Sequence, residues 1–123
     1  MVQYDKQRER LENDRSRLLS ELAELEARAF TDEERRVGSP FGKREEEAAE
    51  TFEMEKILVL KQRLKTALAE IERALDKMAA GTYGRCDSCG REIESARLEA
   101  LPQANLCLSC KAKQARDVRQ RSR

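Results

Sequence analysis

The chain has no histidine, no tryptophan and only 4% aromatic residues, and its longest strongly apolar run is Ile57–Leu60. Without histidine the commonest general base and the commonest imidazole metal ligand are both missing, so any chemistry must rest on thiols or carboxylates. The apolar run is far short of the roughly 20 residues that span a bilayer, and the start MVQYDKQRER lacks the apolar stretch of a signal peptide. A cytoplasmic protein with no membrane partner is therefore expected. Apolar residues make up 39% of the chain, below the usual 45–50% or so, which argues against a large compact core in 123 residues. An excess of one charge is missing too: 25 Lys and Arg stand against 24 Asp and Glu, a net charge of +1. The basic surplus of a nucleic-acid coat is absent, and any polyanion contact must be local.

What the chain has instead is charge in bulk, 40% of residues, laid over helical periodicity. Residues 2–30 read as one helix with apolar side chains at Leu11, Leu18, Leu22, Leu25 and Ala29, interrupted at Asp14 and Arg15. Residues 43–80 carry a second stripe, Ile57, Leu60, Leu64, Leu68, Ile71, Leu75 and Met78, in a three-four pattern. Each stripe needs a partner, and each supplies the other's. Between them Gly38, Ser39, Pro40 and Gly42 break the helix, Thr31 and Glu34 have capping-box spacing, and Ser39 before Pro40 suits a helix start. The expectation is a mainly α fold: an antiparallel helical hairpin, or coiled coil, over 1–80 with its tip at about 31–44. At about 1.5 Å per residue its arms would reach roughly 40 Å.

The tip region holds Glu45, Glu46, Glu47, Glu50, Glu53 and Glu55 without a Lys or Arg between 45 and 55. Carboxylates in a first turn are favoured by the helix dipole, but that effect fades beyond it, leaving Glu50–Glu55 as a solvated face or an electrostatic feature of the tip. Phe41, alone in a polar turn, either caps the hairpin core or touches a partner.

The sharpest signal is Cys86-Asp-Ser-Cys89 and, after seventeen residues, Cys107-Leu-Ser-Cys110. Two Cys-x-x-Cys turns brought face to face supply the four sulfurs of a tetrahedral zinc site. With every position filled by protein, one structural Zn2+ is expected and no catalytic role. A disulfide framework is disfavoured in a reducing cytosol, and a redox pair would be expected beside a βαβ pattern that is not present. Four thiolates and the metal would take the net charge from +1 to about −1. Residues 81–123 are thus expected to form a small four-cysteine zinc-finger module with a short, basic C-terminal helix, whose segment KAKQARDVRQRSR sets six basic residues against Asp117 alone.

Residues 81–111, GTYGRCDSCGREIESARLEALPQANLCLSCK, resemble the zinc-finger region of the DksA/TraR family of bacterial transcription regulators. The likeness rests on the Gly-Thr-Tyr-Gly lead-in, the four Cys, Ile93, Arg97-Leu98-Glu99-Ala100, Pro102 and Leu106, and the preceding hairpin agrees with it. The resemblance implies a non-enzymatic factor that binds RNA polymerase directly, without sequence-specific DNA contacts, and inserts its coiled-coil tip into the secondary channel. Members carry an Asp-x-x-Asp-x-Ala motif near the tip, and an ungapped match places Lys43, Glu46 and Ala48 on it. Ala48 is identical, Glu46 keeps the charge and Lys43 reverses it. Some members also bind guanosine tetraphosphate through basic residues. Lys111 matches one of these, whereas Glu70 and Leu101 replace a Lys and an Arg, which predicts weak or absent response to that ligand. The rival readings are a nucleic-acid or protein adaptor working through the basic C-terminal segment, and an enzyme or redox sensor working through the Cys pairs.

Overall fold

The computed structural model describes residues 4–37 and 44–121, and side chains at 4–29, 49 and 51–121. Four helices follow in order: α1 (Asp5–Val37), α2 (Arg44–Ala80), α3 (Ser95–Ala100) and α4 (Leu108–Arg121). Among the described residues β-type pairing is limited to an isolated antiparallel bridge between Arg85 and Glu92. The fold is mainly α, with a helical hairpin, a four-cysteine module and a C-terminal helix. No helix among the described residues is long and apolar enough to cross a membrane.

The first helix runs past residue 30, where the capping pair Thr31 and Glu34 suggests an interruption, and continues to Val37. Residues 31–37 contain neither Gly nor Pro, and their Glu and Arg are good helix formers, so nothing stops the helix before Gly38. Ser39 and Pro40, the expected start of the second arm, lie outside the described residues, and α2 begins at Arg44. Two ion pairs join the arms: Arg15 to Glu72 at 3.4 Å and Glu26 to Lys61 at 3.5 Å.

The chain divides into two compact units, Met1–Arg15 with Ala69–Arg123, and Ser16–Leu68. Within Ser16–Leu68, Leu18, Leu25 and Ile57 are buried. Leu60 does not take the core position its spacing suggests and is 46% exposed. The next residue, Lys61, is half-buried instead, and its amine pairs with Glu26. In the other unit Leu11, Ile71 and Ala74 are buried, and the Asp14–Arg15 interruption supplies the Arg15–Glu72 pair. Ala74 and Lys77 lie off the expected stripe yet are buried, because this end of α2 is covered on two sides, by α1 and by the cysteine module.

Candidate metal centre

The module begins where α2 stops. Gly81 adopts φ 77°, a left-handed conformation that costs a β-carbon-bearing residue energy. The amide of Thr82 donates to the Lys77 carbonyl at 2.8 Å and that of Gly81 to Met78 at 3.3 Å, closing the helix with a Schellman pattern. Tyr83 and Gly84 follow, and the first Cys-x-x-Cys turn is built next: Cys86 N–H donates to the Arg91 carbonyl at 2.8 Å, and Gly90 N–H to the Cys86 carbonyl at 3.0 Å with φ 73° at Gly90. Ile93 N–H donates to the Gly84 carbonyl at 2.7 Å, so residues 84–93 fold back on themselves. The second pair straddles the start of α4, where Lys111 N–H donates to the Cys107 carbonyl at 2.9 Å. The two turns are tied together by Asp87 N–H, which donates to the Asn105 carbonyl at 2.8 Å.

Cys86, Cys89, Cys107 and Cys110 converge, all four sulfurs lying within 4.8 Å of one another. Zinc–sulfur bonds of about 2.3 Å in a tetrahedron put the sulfurs about 3.8 Å apart. Cys89 Sγ and Cys107 Sγ are 3.8 Å apart, the length of such an edge. Cys86 and Cys107 are buried, Cys110 is half-buried and Cys89 exposed. Burial pushes the Cys86 thiol up, but hydrogen bonds from the backbone of Cys89, Cys107 and Ser88 outweigh it and bring it down to about 6. Cys110 moves the other way, to about 12, through hydrogen bonds to the sulfurs of Cys107 and then Cys86. Four thiols this close to one another share protons, which a cation bound to the thiolates would replace. The donor set and the spacing fit one structural Zn2+, with no coordination position left for a substrate.

A small core backs the centre. Tyr83, Ile93, Leu98 and Pro102 are buried, and Tyr83 Oη donates to the Pro102 carbonyl at 2.8 Å. From just before α1, Tyr4 meets the Tyr83 ring edge-on at 4.6 Å, and from α1 itself Arg10 Nη1 donates to the Glu99 carbonyl at 2.7 Å. Gly84, at φ 89°, leaves room for this contact: a β-carbon there would lie 3.3 Å from Tyr4 Oη. From α2, Lys77 and Arg73 reach Asp87, while Asn105 Nδ2 donates to the Glu70 carbonyl at 3.3 Å. None of Tyr4, Arg10, Arg73 and Lys77 belongs to a sequence motif, and Asp87 sits inside the first Cys-x-x-Cys turn without being marked by it. The spacing of Glu70, Arg73 and Lys77, three then four, is the signal that puts them on one helix face.

The other expected site residues are placed as follows. Phe41 and Lys43 lie outside the described residues; Glu46 and Ala48 fall in the first turns of α2, and their side chains lie outside them too. Glu70, Leu101 and Lys111 come together on the wall of one cleft of about 240 Å³, which Arg97 and Asn105 also line. The basic residues of α4 from Lys111 to Arg121 are exposed, and the helix has no buried residue.

Residues 81–116 match the family model of the prokaryotic dksA/traR C4-type zinc finger. The chain is similar to the RNA polymerase-binding transcription factor DksA of Haemophilus influenzae, with 43% identity over 51 residues, 42% of this chain and 35% of that protein. With the factor of the same name from Escherichia coli K12 it shares 41% identity over 64 residues, 52% of this chain and 42% of that protein. The matched stretch thus spans about two fifths of the length of these curated relatives. The solved structure of transcription factor DksA2 from Pseudomonas aeruginosa aligns over 96% of this chain and 91% of its own, at 30% identity and a TM-score of 0.55.

Proposed function

Because this chain belongs to the DksA/TraR family, we propose that it is a non-enzymatic regulator of transcription that binds RNA polymerase directly. The observation that carries this reading is the likeness to P. aeruginosa DksA2 over nearly the full length of both chains. The curated relatives are themselves named RNA polymerase-binding factors. In this reading Cys86, Cys89, Cys107 and Cys110 hold the zinc, which fixes the base of the hairpin, and the module over 81–123 carries the polymerase-anchoring end. A protein working on bacterial polymerase acts in the cytoplasm.

The finer mechanism puts the hairpin tip in polymerase's secondary channel, with Phe41, Lys43, Glu46 and Ala48 presented towards the catalytic centre. A negative charge at Glu46 near a metal-containing centre would shift the stability of promoter complexes by electrostatics, without chemistry of its own. The Glu46→Lys variant is expected to bind polymerase as tightly as the parent and to lose its effect on promoter-complex lifetime; unaltered lifetimes would remove the tip from the mechanism. With Glu70 and Leu101 beside Lys111 in one cleft, guanosine tetraphosphate is met there by an acid and an aliphatic chain, and little added effect is expected from it.

A second reading has one observation in its favour, the exposed basic side chains of α4. A nucleic-acid adaptor would show gel shifts with free DNA or RNA that collapse as salt rises.

A further inference from the structure

The last turns of α2 present Glu70, Arg73 and Lys77 on a single face, and each makes a bond to a cysteine-bearing turn. Lys77 is the unusual member. Its side chain is only 3% exposed, in a chain whose other Lys and Arg side chains, wherever described, are half-buried or exposed. Its ammonium donates to the carbonyl of Arg85, the residue before Cys86, and pairs at 3.1 Å with Asp87, the residue after it. Cys86, the ligand candidate between them, is itself 3% exposed. Arg73 holds the same carboxylate from the solvent side, at 3.2 Å from Oδ1 and 3.4 Å from Oδ2. The second turn is held by the same face, through Asn105 and the Glu70 carbonyl.

Burying an ammonium is unfavourable unless it is paired and hydrogen-bonded. Here it is tied to backbone and carboxylate on either side of one sulfur. A tetrathiolate zinc centre also carries a formal charge of about −2, and Asp87 adds to it, so a buried cation close by offsets negative charge as well as fixing the turn. We propose that Lys77, bridging Arg85 and Asp87 around Cys86, is a positioning residue of the metal centre that sets how tightly and how long the chain retains zinc, with Arg73 as its outer support. The cysteine turns are in this view registered against α2, and the four sulfurs alone do not determine the site's affinity. The inference rests on the zinc reading above.

The test is zinc release from the full chain to a chromogenic chelator, followed well below the unfolding temperature. Residues that orient metal ligands typically change metal affinity by about 10–100-fold when removed. Lys77→Met is expected to speed release by about tenfold or more. Asp87→Asn, at a more exposed position, should do so in the same direction and keeps the test available if Lys77→Met fails to fold. Arg73→Ala should have a smaller effect. Leu11→Ala, a cavity at a fully buried site in the same unit, should lower thermal stability without changing release. Release within about twofold of the parent in Asp87→Asn and Lys77→Met would overturn the proposal, as would equal acceleration by Leu11→Ala, which would make retention a matter of overall stability. A parent chain that takes up no zinc at one equivalent would overturn the zinc reading itself, a result separable from the others because it precedes any variant.

Discussion

Tyr83 offers a test in which substitution and pH act on the same hydroxyl. The residue is 9% exposed and its Oη donates to the carbonyl of Pro102, a residue with almost no exposure. Tyr83→Phe keeps the ring, and with it the edge-on contact to Tyr4, but leaves a buried carbonyl without its donor. Leaving a buried acceptor unpaired costs about 1–3 kcal/mol. Near neutral pH the variant should therefore be less stable by that amount, a fall of several degrees in melting temperature for a unit of this size. Alkaline solution changes the comparison. Burial, and then the neighbouring Tyr4, push the Tyr83 hydroxyl up from 10.0 to about 12, only partly opposed by Arg10. A group whose pKa is raised on folding stabilises the fold fully below its unfolded value, and the contribution is lost as pH climbs towards the folded value. At pH 11 the unfolded chain has given up this proton while the folded chain keeps it, which takes about 1.4 kcal/mol from the parent relative to pH 8. The variant has no hydroxyl at this position and does not suffer that loss. Urea unfolding at pH 8 and pH 11 should show the gap between parent and Tyr83→Phe narrowing by roughly 1 kcal/mol. A gap that is absent at pH 8, or that stays constant between the two pH values, would refute the account of this core.

Two further outcomes follow from the metal centre. Cys107→Ser should abolish stoichiometric zinc binding and unfold residues 81–110 while far-UV circular dichroism retains most of the signal of α1 and α2; unchanged metal content and thermal behaviour would contradict it. Zinc affinity, measured by chelator competition, should fall steadily from pH 8 to pH 6, because binding must displace the protons held at Cys110 and, at the lower end, those taken up by Cys86 near its value of about 6. A pH-independent affinity would mean that these sulfurs are not the ligands.

The metal centre is legible in the sequence because its chemistry is local: two Cys-x-x-Cys turns and one glycine that follows specify the donor set without knowledge of the rest of the chain. The hairpin is legible in outline for a related reason, since a three-four stripe needs only helix geometry. Leu60 marks where that rule runs out. Spacing puts it in the seam, yet it is exposed, while the lysine one position on is half-buried and pairs with an acid on the other helix. Ala74 and Lys77 fail in the opposite direction, looking like surface residues until the cysteine module folds back onto α2. Tyr4 is similar: it meets Tyr83 from the far end of the sequence, and no periodicity links them. The capping pair at Thr31 suggests too early an end for α1, because such a pair permits a helix to start and does not force one already running to stop.

In the proposed reading a zinc-held helical hairpin acts on RNA polymerase and not on nucleic acid. The most direct measurement is equilibrium binding of the purified, zinc-loaded chain to bacterial RNA polymerase in the absence of DNA, set beside its binding to duplex DNA alone at physiological salt. Saturable one-to-one binding to the polymerase with none to the duplex is the predicted result. Tight, salt-sensitive binding to the duplex with no association to the polymerase would contradict it.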